Sequence, residues 1–317
     1  MERIKLSIIV PVYNVERYVR KCVASLLVEG ENDYEIIIVN DGTKDRSIEV
    51  LKKSFNDPRI RYIEQENRGL SAARNHGIKE ARGEYIWCVD SDDWVETKEI
   101  PEMIAILDGK IDALYFGSFF SDSESTGKTI QATIDNKAAT GNELACTMFE
   151  HCAPYYLIRK DMLVENNLYF TEGILHEDSL FTPIMIPHCG KVLRYENPVY
   201  HHLQRDGSIT HTVSPKRIYD MMFVIKTLVA YGETLPDDIR WKWGRCIAQI
   251  TNGVLLCSKA CEDKDANNKL KEYLNNNTSV IEYLAHSSRN NKIMARFATV
   301  AGGRLYQVYS ILSKIRY

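Results

Sequence analysis

Long apolar runs are absent from this sequence. None of its 317 residues lies in a stretch that approaches the ~20 apolar residues of a membrane-spanning helix. The first apolar segment, Leu6–Val12, is short and is interrupted by Pro11. We therefore interpret it as a β-strand and not as the apolar core of a signal peptide.

The sequence also lacks a strong charge bias and any Cys-x-x-Cys motif. A net charge of −3 gives no basis for binding nucleic acid. The eight cysteines are scattered, although His151-Cys152 and His188-Cys189 are neighbours that leave a zinc site open. Free, mostly buried thiols in a reducing compartment are the simpler explanation, so we expect a cytoplasmic protein.

Short apolar segments alternate with amphipathic ones in the first part of the chain. We predict strands at Leu6–Val10, Glu35–Val39 and Ile60–Ile63, with amphipathic helices between them. Each predicted strand ends in polar residues. This alternation predicts an α/β fold with a doubly wound, mainly parallel sheet, whose polar strand ends share one crevice.

The stretch from Tyr85 to Trp94 joins an apolar strand to three carboxylates, those of Asp90, Asp92 and Asp93. Strand alternation would point Asp90 and Asp92 the same way, where their charges repel unless a cation lies between them. Mg²⁺ or Mn²⁺ binds one or two carboxylates and completes its shell with water and substrate phosphates. The alternative is a solvated acidic turn.

Two further positions suit a nucleotide ligand. Asp41 follows the second predicted strand, where an exposed carboxylate could accept the N–H groups of a nucleobase; a turn-forming aspartate is the alternative. Arg74 falls in the first turn of a helix predicted to be capped by Ser71, and the helix dipole disfavours a cation there. A phosphate or a neighbouring aspartate would explain Arg74, and a surface position is the alternative.

Residues 6–93 resemble the nucleotide-sugar-binding half of a family 2 glycosyltransferase with the GT-A fold. The matching motifs, in order along the chain, are Ser7–Asn14, Val39–Ser47, Asn67–Asn75 and Gly83–Asp93. Thr43 stands where the family usually has serine, which preserves the hydroxyl group.

The resemblance implies a role for each matching position. It gives Asp90 and Asp92 a divalent cation, Mn²⁺ or Mg²⁺, and it gives Arg74 a place beside the diphosphate. The other donor-binding positions that it implies are Pro11, Val12, Tyr13, Asn14, Asn67, Asp41 and Ser91. Among these positions, the resemblance assigns the contacts with the base and the ribose to Pro11, Tyr13, Asp41 and Asn67.

A second acidic motif, Glu177-Asp178, precedes an apolar helix predicted over Leu180–Ile186. The resemblance implies that Asp178 is the general base for the acceptor hydroxyl, with Glu177 orienting the acceptor and His176 nearby. The alternative is that both acids are first-turn helix residues, which the helix dipole favours.

Two residues further along the chain correspond to positions near the leaving group. Arg205 begins a segment that resembles the part of the family's chain thought to close over the diphosphate, so it could neutralise leaving-group charge. His202 is a candidate third metal ligand. Each is equally compatible with an ordinary surface position.

Later segments have clear strand or helix signals. We predict strands over Ala113–Phe120 and Tyr155–Ile158. Thr140 and Glu143 have the spacing of a capping box, and Ser214-Pro215 is a typical helix start. From there to the last residue the pattern is helical, so we predict a GT-A domain over residues 1–213 and a helical region over residues 214–317.

The expected function is transfer of a sugar, with inversion, from a nucleoside diphosphate donor to a hydroxyl of a glycan or lipid-linked acceptor. The expected donor is a UDP-sugar, and the expected pathway is cell-surface polysaccharide synthesis. Two other classes stay open. A non-catalytic nucleotide-sugar-binding module would not need Asp178. A sugar nucleotidyltransferase would need a glycine-rich phosphate loop, and the segment Pro11–Asn14 contains no glycine.

The sequence after Ser288 is basic and has no acidic residue; its charged side chains are Arg289, Lys292, Arg296, Arg304, Lys314 and Arg316. Large apolar residues fall between them at helical spacing, and Gly302-Gly303 is a predicted break. Two alternatives follow: this segment packs on the rest of the chain or on a second copy, or it makes peripheral contact with the inner face of a membrane.

Overall fold

A computed structural model of the chain describes residues 4–121, 129–132, 138–147, 149–204 and 213–315. The strands are β1 (Leu6–Val12), β2 (Tyr34–Asp41), β3 (Ile60–Gln65), β4 (Tyr85–Cys88), β5 (Trp94–Val95), β6 (Ala113–Tyr115), β7 (Ser118–Ser121), β8 (Thr129–Ala132), β9 (Tyr156–Arg159), β10 (Val192–Arg194) and β11 (Tyr200–Leu203). The helices are α1 (Val19–Leu26), α2 (Ser47–Ser54), α3 (Leu70–Glu80), α4 (Ile100–Ile106), α5 (Gly141–Ala145), α6 (Lys160–Glu165), α7 (Asp178–His188), α8 (Pro215–Gly232), α9 (Asp237–Trp243), α10 (Arg245–Ala260), α11 (Lys264–Asn276), α12 (Thr278–Ala285), α13 (Arg289–Val300) and α14 (Leu305–Ile315).

The described residues contain a seven-stranded sheet of order β10-β6-β9-β4-β1-β2-β3. Every pairing in it is parallel except those of β9, which runs antiparallel to β4 and β6. All seven residues of β1 are buried, and its isoleucines align with those of β2, Ile8 with Ile36 and Ile9 with Ile37. Both faces of β1 and β2 are buried, which explains why these strands have continuous rather than alternating apolar residues.

Strand β1 runs two residues beyond its predicted end at Val10 and includes Pro11. The carbonyl of Ile9 accepts a hydrogen bond from Val89, just after β4. In a strand, the backbone groups of residues two apart point toward the same neighbouring strand. The backbone nitrogen of Pro11 therefore points to the side on which β4 lies, but β4 has already ended at Cys88. A proline is tolerated there because no hydrogen-bond partner awaits its missing N–H group.

The strand predicted over Ala113–Phe120 is two strands in two sheets, so that prediction was wrong. Strand β6 belongs to the large sheet, and β7 belongs to a four-stranded sheet of order β5-β11-β7-β8 among the described residues. The chain leaves the large sheet at Phe116, which is fully buried and packs edge-on against Trp87 with ring centroids 5.6 Å apart. The run is buried without interruption from Ala113 to Ser118, so its hydrophobicity does not mark the break.

Three stacked aromatic side chains cross the small sheet, one from each of the strands β5, β11 and β7. Its register places His201 of β11 beside Trp94 of β5 and Phe119 of β7. The imidazole stacks on both, with centroid distances of 5.0 Å to Trp94 and 4.4 Å to Phe119. Cross-strand ring pairs of this kind stabilise short strands.

Both predicted helix starts are confirmed by their caps. The Thr140 hydroxyl accepts from the Glu143 N–H at 3.2 Å, and the Glu143 carboxylate accepts from the Thr140 N–H at 3.2 Å. The Ser214 hydroxyl accepts from the N–H of Arg217 at 3.2 Å, with Pro215 at the first helical position. These bonds satisfy N–H groups that have no partner inside the helix.

The chain divides into two compact units. One comprises Met1–Leu144, Glu150–Gly173 and Met185–Asp206 and contains the sheets. The other comprises Ala145–Phe149, Ile174–Ile184 and Gly207–Tyr317 and is helical in its described residues. The helical unit thus takes in two short segments that precede residue 213, and the predicted boundary at that residue stays a prediction.

The helical unit has its own apolar core. Trp243 of α9 is fully buried, and its indole N–H donates to the carbonyl of Pro183 at 2.9 Å. The ring of Tyr231, from α8, lies 5.5 Å from the Trp243 ring. No helix in the described ranges is both long enough and apolar enough to cross a membrane. All eight cysteines are free thiols, and five are buried.

Candidate active site

The carboxylates that follow β4 lie in a tight turn. The Asp93 N–H donates to the carbonyl of Asp90 at 3.1 Å, which closes the turn one residue after Val89. Asp90 and Asp92 are partly exposed, whereas Ser91 and Asp93 are buried. The strand ends at Cys88, so these side chains lie in a turn and not on a strand, and the expectation that Asp90 and Asp92 point the same way stays a prediction.

Arg74 binds one of these carboxylates. Its guanidinium Nη2 lies 2.7 Å from Asp90 Oδ1, and its side chain is only 1% exposed. The guanidinium also lies over the Phe170 ring, 5.0 Å from the centroid. The prediction that a neighbouring aspartate explains a cation early in α3 is confirmed.

The start of α3 differs from the predicted one. The helix begins at Leu70, directly after Gly69, whose φ of 88° only glycine adopts without strain. The predicted cap Ser71 is therefore inside the first turn of the helix, and the residue at the N-cap is Gly69. The glycine lets the chain turn sharply out of the loop that follows β3.

Asp93 points inward and ties the turn to β11, a role that our sequence reasoning missed. Its carboxylate accepts from the Tyr200 hydroxyl at 2.7 Å and from the Leu203 N–H at 2.8 Å. The Tyr200 oxygen also accepts from the Asp90 N–H at 3.1 Å. Only the presence of a third carboxylate within four residues hinted at this role, since Tyr200 lies more than a hundred residues away in sequence.

Asp93, which is buried, pairs with His202, whose side chain is 23% exposed. Burial raises the pKa of the Asp93 carboxyl to about 6, although the adjacent imidazole acts in the opposite direction. Burial acts to lower the pKa of His202, but the hydrogen bond and the charge of Asp93 outweigh it, so the pKa of this histidine is raised. The two atoms involved, His202 Nδ1 and Asp93 Oδ2, are 3.3 Å apart.

Asp90 and Asp92 have the donor chemistry that a hard divalent cation needs. Among the described residues, no three or more histidine, cysteine, aspartate or glutamate side chains cluster as a metal site. His202 lies with Asp93, and its place as a third ligand stays a prediction. Two carboxylates completed by substrate phosphates and water form a common shell for Mg²⁺ or Mn²⁺, so the residues present fit such a cation.

Asp41 is buried, so the expectation of an exposed carboxylate was wrong. Its Oδ1 accepts from the Gln65 side chain at 2.7 Å and from the Arg68 N–H at 2.9 Å. Its Oδ2 accepts from the Asn67 side chain at 3.2 Å and from the Gly69 N–H at 2.9 Å. In this structure the carboxylate organises the loop before α3, and its contact with a base stays a prediction.

The loops after β1 and β2 are tied together. The Asn14 N–H donates to the Thr43 hydroxyl at 2.8 Å, and that hydroxyl donates to Asp45 at 2.8 Å. Asp45 also accepts from the Ser47 hydroxyl at 2.6 Å. Gly42, with φ of 65°, cannot be replaced easily, because a Cβ there would lie 2.9 Å from the Asn67 backbone nitrogen.

The predicted donor-binding residues at the end of β1 differ in exposure. Pro11 and Val12 are buried in the strand, whereas Tyr13 is 42% exposed. Asn14 has a left-handed backbone with φ of 55°, which asparagine tolerates better than most residues. An exposed aromatic ring at the carboxyl end of a parallel strand is a suitable stacking surface for a planar ligand.

Glu177 and Asp178 lie at the start of α7 in the helical unit. Asp178 is in the first turn and partly exposed, and Glu177 immediately precedes the helix and is buried. The Glu177 carbonyl accepts from Phe181 at 2.9 Å. The first-turn position expected from the dipole is thus present, and it is compatible with a catalytic role as well.

The segment before Asp178 is fixed to α8. The Leu175 N–H donates to Asp220 Oδ2 at 2.8 Å, and Lys216 lies 2.7 Å from the same oxygen. His176 follows with a left-handed backbone, φ of 59°. Burial, together with the charge of Arg217, lowers the pKa of His176 to about 4, so this imidazole is neutral near pH 7. Arg205, the remaining predicted site residue, lies outside the described residues.

Carboxylates and an arginine lie here at the carboxyl ends of strands in a mainly parallel sheet, which is where α/β folds bind their ligands. The model of glycosyl transferase family 2 matches residues 7–166, which is half of the chain. The chain therefore belongs to this family.

The Bacillus subtilis protein "Uncharacterized glycosyltransferase EpsJ" is 36% identical over 216 residues, 65% of this chain and 62% of EpsJ. The Staphylococcus aureus poly(ribitol-phosphate) beta-N-acetylglucosaminyltransferase TarS is 25% identical over 244 residues, 70% of this chain and 40% of TarS. This chain therefore spans less than two thirds of either relative.

Solved structures confirm the predicted fold. A crystal structure of S. aureus TarS in complex with UDP-GlcNAc matches with a TM-score of 0.74 at 20% identity, covering 98% of this chain and 92% of that one. The mannosyltransferase PcManGT from Pyrobaculum calidifontis, in complex with GDP-Man and Mn²⁺, matches with a TM-score of 0.54 at 13% identity, covering 97% and 86%. The chain has the GT-A fold, with a mainly parallel sheet and a helical C-terminal region.

Proposed function

We propose that this glycosyltransferase moves a sugar from a UDP-sugar to a hydroxyl group of a glycan or lipid-linked acceptor, with inversion, in cell-surface polysaccharide synthesis. The observation that carries the proposal is the turn after β4, which holds the partly exposed Asp90 and Asp92 and in which Asp90 pairs with the buried Arg74. Carboxylates for a cation and a fixed guanidinium together suit a ligand that carries a diphosphate.

Asp90 and Asp92 would hold the cation, Mn²⁺ or Mg²⁺. When bound, such an ion acts as a Lewis acid on the leaving diphosphate. Arg74 would add positive charge on the same side, and its burial and its pairing with Asp90 would keep it oriented before the donor arrives. This orientation is the contribution that the chain itself makes to leaving-group stabilisation.

The base and ribose would lie along the loops after β1 and β2. Tyr13 would stack on the uracil, since its ring is 42% exposed at a strand end. Asp41 would act in part through the loop that it holds, which carries Asn67. A direct contact between Asp41 and a base N–H would require one of its protein donors to give way. UDP is favoured as the nucleotide because the matching TarS structure contains UDP-GlcNAc.

Asp178 would take the proton of the acceptor hydroxyl, with Glu177 beside it. An aspartate needs no raised pKa for this role if substrate binding removes water around it. One base without a second nucleophilic carboxylate is the arrangement expected of a single inverting displacement, by analogy with glycosidases. We place this reaction in the cytoplasm, at the inner face of the membrane when the acceptor is lipid-linked.

The test is donor hydrolysis by the purified chain. UDP-sugars and GDP-sugars are each incubated with Mn²⁺, and release of the nucleotide is followed with and without EDTA. We expect slow hydrolysis of one UDP-sugar, its loss in EDTA and its recovery on adding Mn²⁺ or Mg²⁺. Asp92→Asn should lose both hydrolysis and Mn²⁺ binding, whereas Asp161→Asn, on the exposed side of α6, should keep both.

Each part of the proposal can fail separately. Full hydrolysis in EDTA would show that no metal is needed, while the proposed sugar transfer would stand. A preference for GDP-sugars would change the nucleotide only. Tight UDP binding without turnover of any donor or acceptor would favour a non-catalytic nucleotide-sugar-binding module, the alternative that Asp178 disfavours.

A further inference from the structure

Helix α13 has two faces of different character. One is buried within the helical unit and consists of Asn291, Met294, Ala295 and Ala298. It is built of small or flexible side chains, which allow close packing against neighbouring helices. This inner face satisfies part of the expectation that the basic C-terminal segment docks on the rest of the chain.

The opposite face is exposed and includes three large apolar side chains. Ile293 is 41% exposed, Phe297 is 54% exposed and Val300 is 88% exposed. An α-helix turns by ~100° per residue, so around the helix axis Val300 and Ile293 lie within about 40° of Arg289. Phe297 lies about 80° from Arg289, at the edge of the exposed face. Packing inside the chain has therefore not used up the apolar residues of this helix.

The same face carries Arg289, Lys292 and Arg296, and all three are exposed. Among the described residues, no ion pair joins any of them to a carboxylate. Elsewhere in the helical unit, Lys216 pairs with Asp220 and Lys269 with Asp265 across one helical turn. No acidic residue follows Glu282 in the sequence, so the positive charge of this face is not neutralised from its own helix.

We propose that the outer face of α13, formed by Arg289, Lys292, Ile293, Arg296, Phe297 and Val300, lies on an anionic lipid bilayer. Large apolar side chains between cations on one helical face match the boundary between acyl chains and anionic headgroups. Phe297 and Val300 would enter the acyl region, and the cations would reach lipid phosphates.

A second copy of the chain fits this face less well. A two-fold contact is self-complementary, so it would bring the same cations of each copy toward one another. Like charges facing across an interface oppose association. The bilayer brings negative charge and an apolar interior to the same helix face. This inference concerns a surface outside the proposed active site and does not depend on which reaction is catalysed.

The test uses the full chain and sedimentation with vesicles. Vesicles of phosphatidylcholine alone are compared with vesicles that also contain phosphatidylglycerol. Removal of one cation should lower partitioning to the anionic vesicles about fivefold. Arg289→Glu/Lys292→Glu/Arg296→Glu reverses three charges and should lower it by more than about 100-fold. The matched control is Lys226→Glu/Lys264→Glu/Lys271→Glu, which changes the same charge at exposed lysines on α8 and α11.

The apolar contribution is tested in the same assay. Phe297→Ser/Val300→Ser should weaken partitioning, whereas Phe223→Ser/Leu256→Ser, which alters exposed apolar residues on α8 and α10, should not. Absence of binding to anionic vesicles by the unmodified chain would overturn the proposal, and so would equal loss in the control variants. A concentration-dependent dimer that Phe297→Ser/Val300→Ser abolishes, without vesicle binding, would assign the face to a second copy. Donor hydrolysis by each variant reports separately on the active site.

Discussion

Arg74 and Asp90 are joined by an ion pair of 2.7 Å between Nη2 and Oδ1. The arginine comes from α3 and the aspartate from the turn after β4, and their side chains are 1% and 23% exposed. The burial is therefore unequal. The guanidinium is removed from water, while the carboxylate stays at the edge of the site, where a cation can approach it.

Replacing Arg74 should cost both stability and donor binding. Arg74→Gln leaves Asp90 without its cation inside a partly buried turn, so the free energy of unfolding should fall by about 3 kcal/mol. Denaturation in urea measures this change. The control is Arg68→Gln, because Arg68 and Glu172 are also 2.7 Å apart but are 62% and 40% exposed, and an exposed pair contributes about 0–1 kcal/mol. Equal losses in the two variants would contradict the argument from burial.

Asp178→Asn should slow transfer without loosening the donor. An amide cannot accept the acceptor proton, so turnover should fall about 10²–10⁴-fold while UDP affinity stays unchanged. Initial rates and calorimetric titration with UDP provide the two measurements. Asp161→Asn is the matched control, since Asp161 is likewise an aspartate in the first turn of a helix. A parallel fall in UDP affinity would make Asp178 a binding residue instead.

Asp41→Asn should destabilise the loop before α3. The new amide nitrogen would face N–H donors, which leaves buried groups unpaired at a cost of about 1–3 kcal/mol. Uridine affinity should fall with the loss of loop order. Asp33→Asn is the control, because Asp33 is 44% exposed and surface changes stay within about 0.5 kcal/mol. Unchanged stability with a large loss of uridine affinity would show instead that the carboxylate acts chiefly on the base.

Asp220 should act on catalysis through Asp178. Asp220→Ala removes the acceptor of the Leu175 N–H and should let the start of α7 shift, and a displacement near 1 Å can slow a reaction about 10²-fold. We expect lower kcat with unchanged UDP affinity, and partial rescue in Asp220→Asn, which keeps an acceptor oxygen. Asp265→Ala is the matched control, since Asp265 also pairs with a lysine one turn away but does not bond this segment. A general loss of stability with unchanged kcat would reduce Asp220 to a structural residue.

Acid should destabilise the fold through two histidines. Burial lowers the pKa of His151 to about 4, and burial with the charge of Arg217 lowers the pKa of His176 to about 4. The unfolded chain binds protons at both below an ordinary pKa of about 6.5 and the folded chain does not, so stability is lost as the pH falls from 6.5 to 4. The loss at pH 5 reaches at most about 2 kcal/mol per histidine. In urea titrations at several pH values, His151→Gln should flatten this slope, and an unchanged slope would refute the assignment.

The first strands, the helices between them and the position of the acidic turn could be predicted from the sequence. Their signals are local: buried apolar runs, amphipathic spacing, and polar residues at strand ends. The capping pairs Thr140 with Glu143 and Ser214 with the N–H of Arg217 were equally readable, because each partner lies three residues away.

Only the tertiary structure decided which partner each polar group would find. Asp41 was expected to be exposed and is instead surrounded by donors from residues 65–69, and Asp93 had no predicted role and binds Tyr200, which follows it by 107 residues. The break of one apolar run into β6 and β7 was hidden because the chain is buried without interruption from Ala113 to Ser118. The hydrogen bond between Leu175 and Asp220 joins residues 45 positions apart and was likewise not predictable from local pattern. Pattern along a chain records burial and local hydrogen bonding, whereas long-range pairing depends on how the elements pack, and that is set by the whole fold.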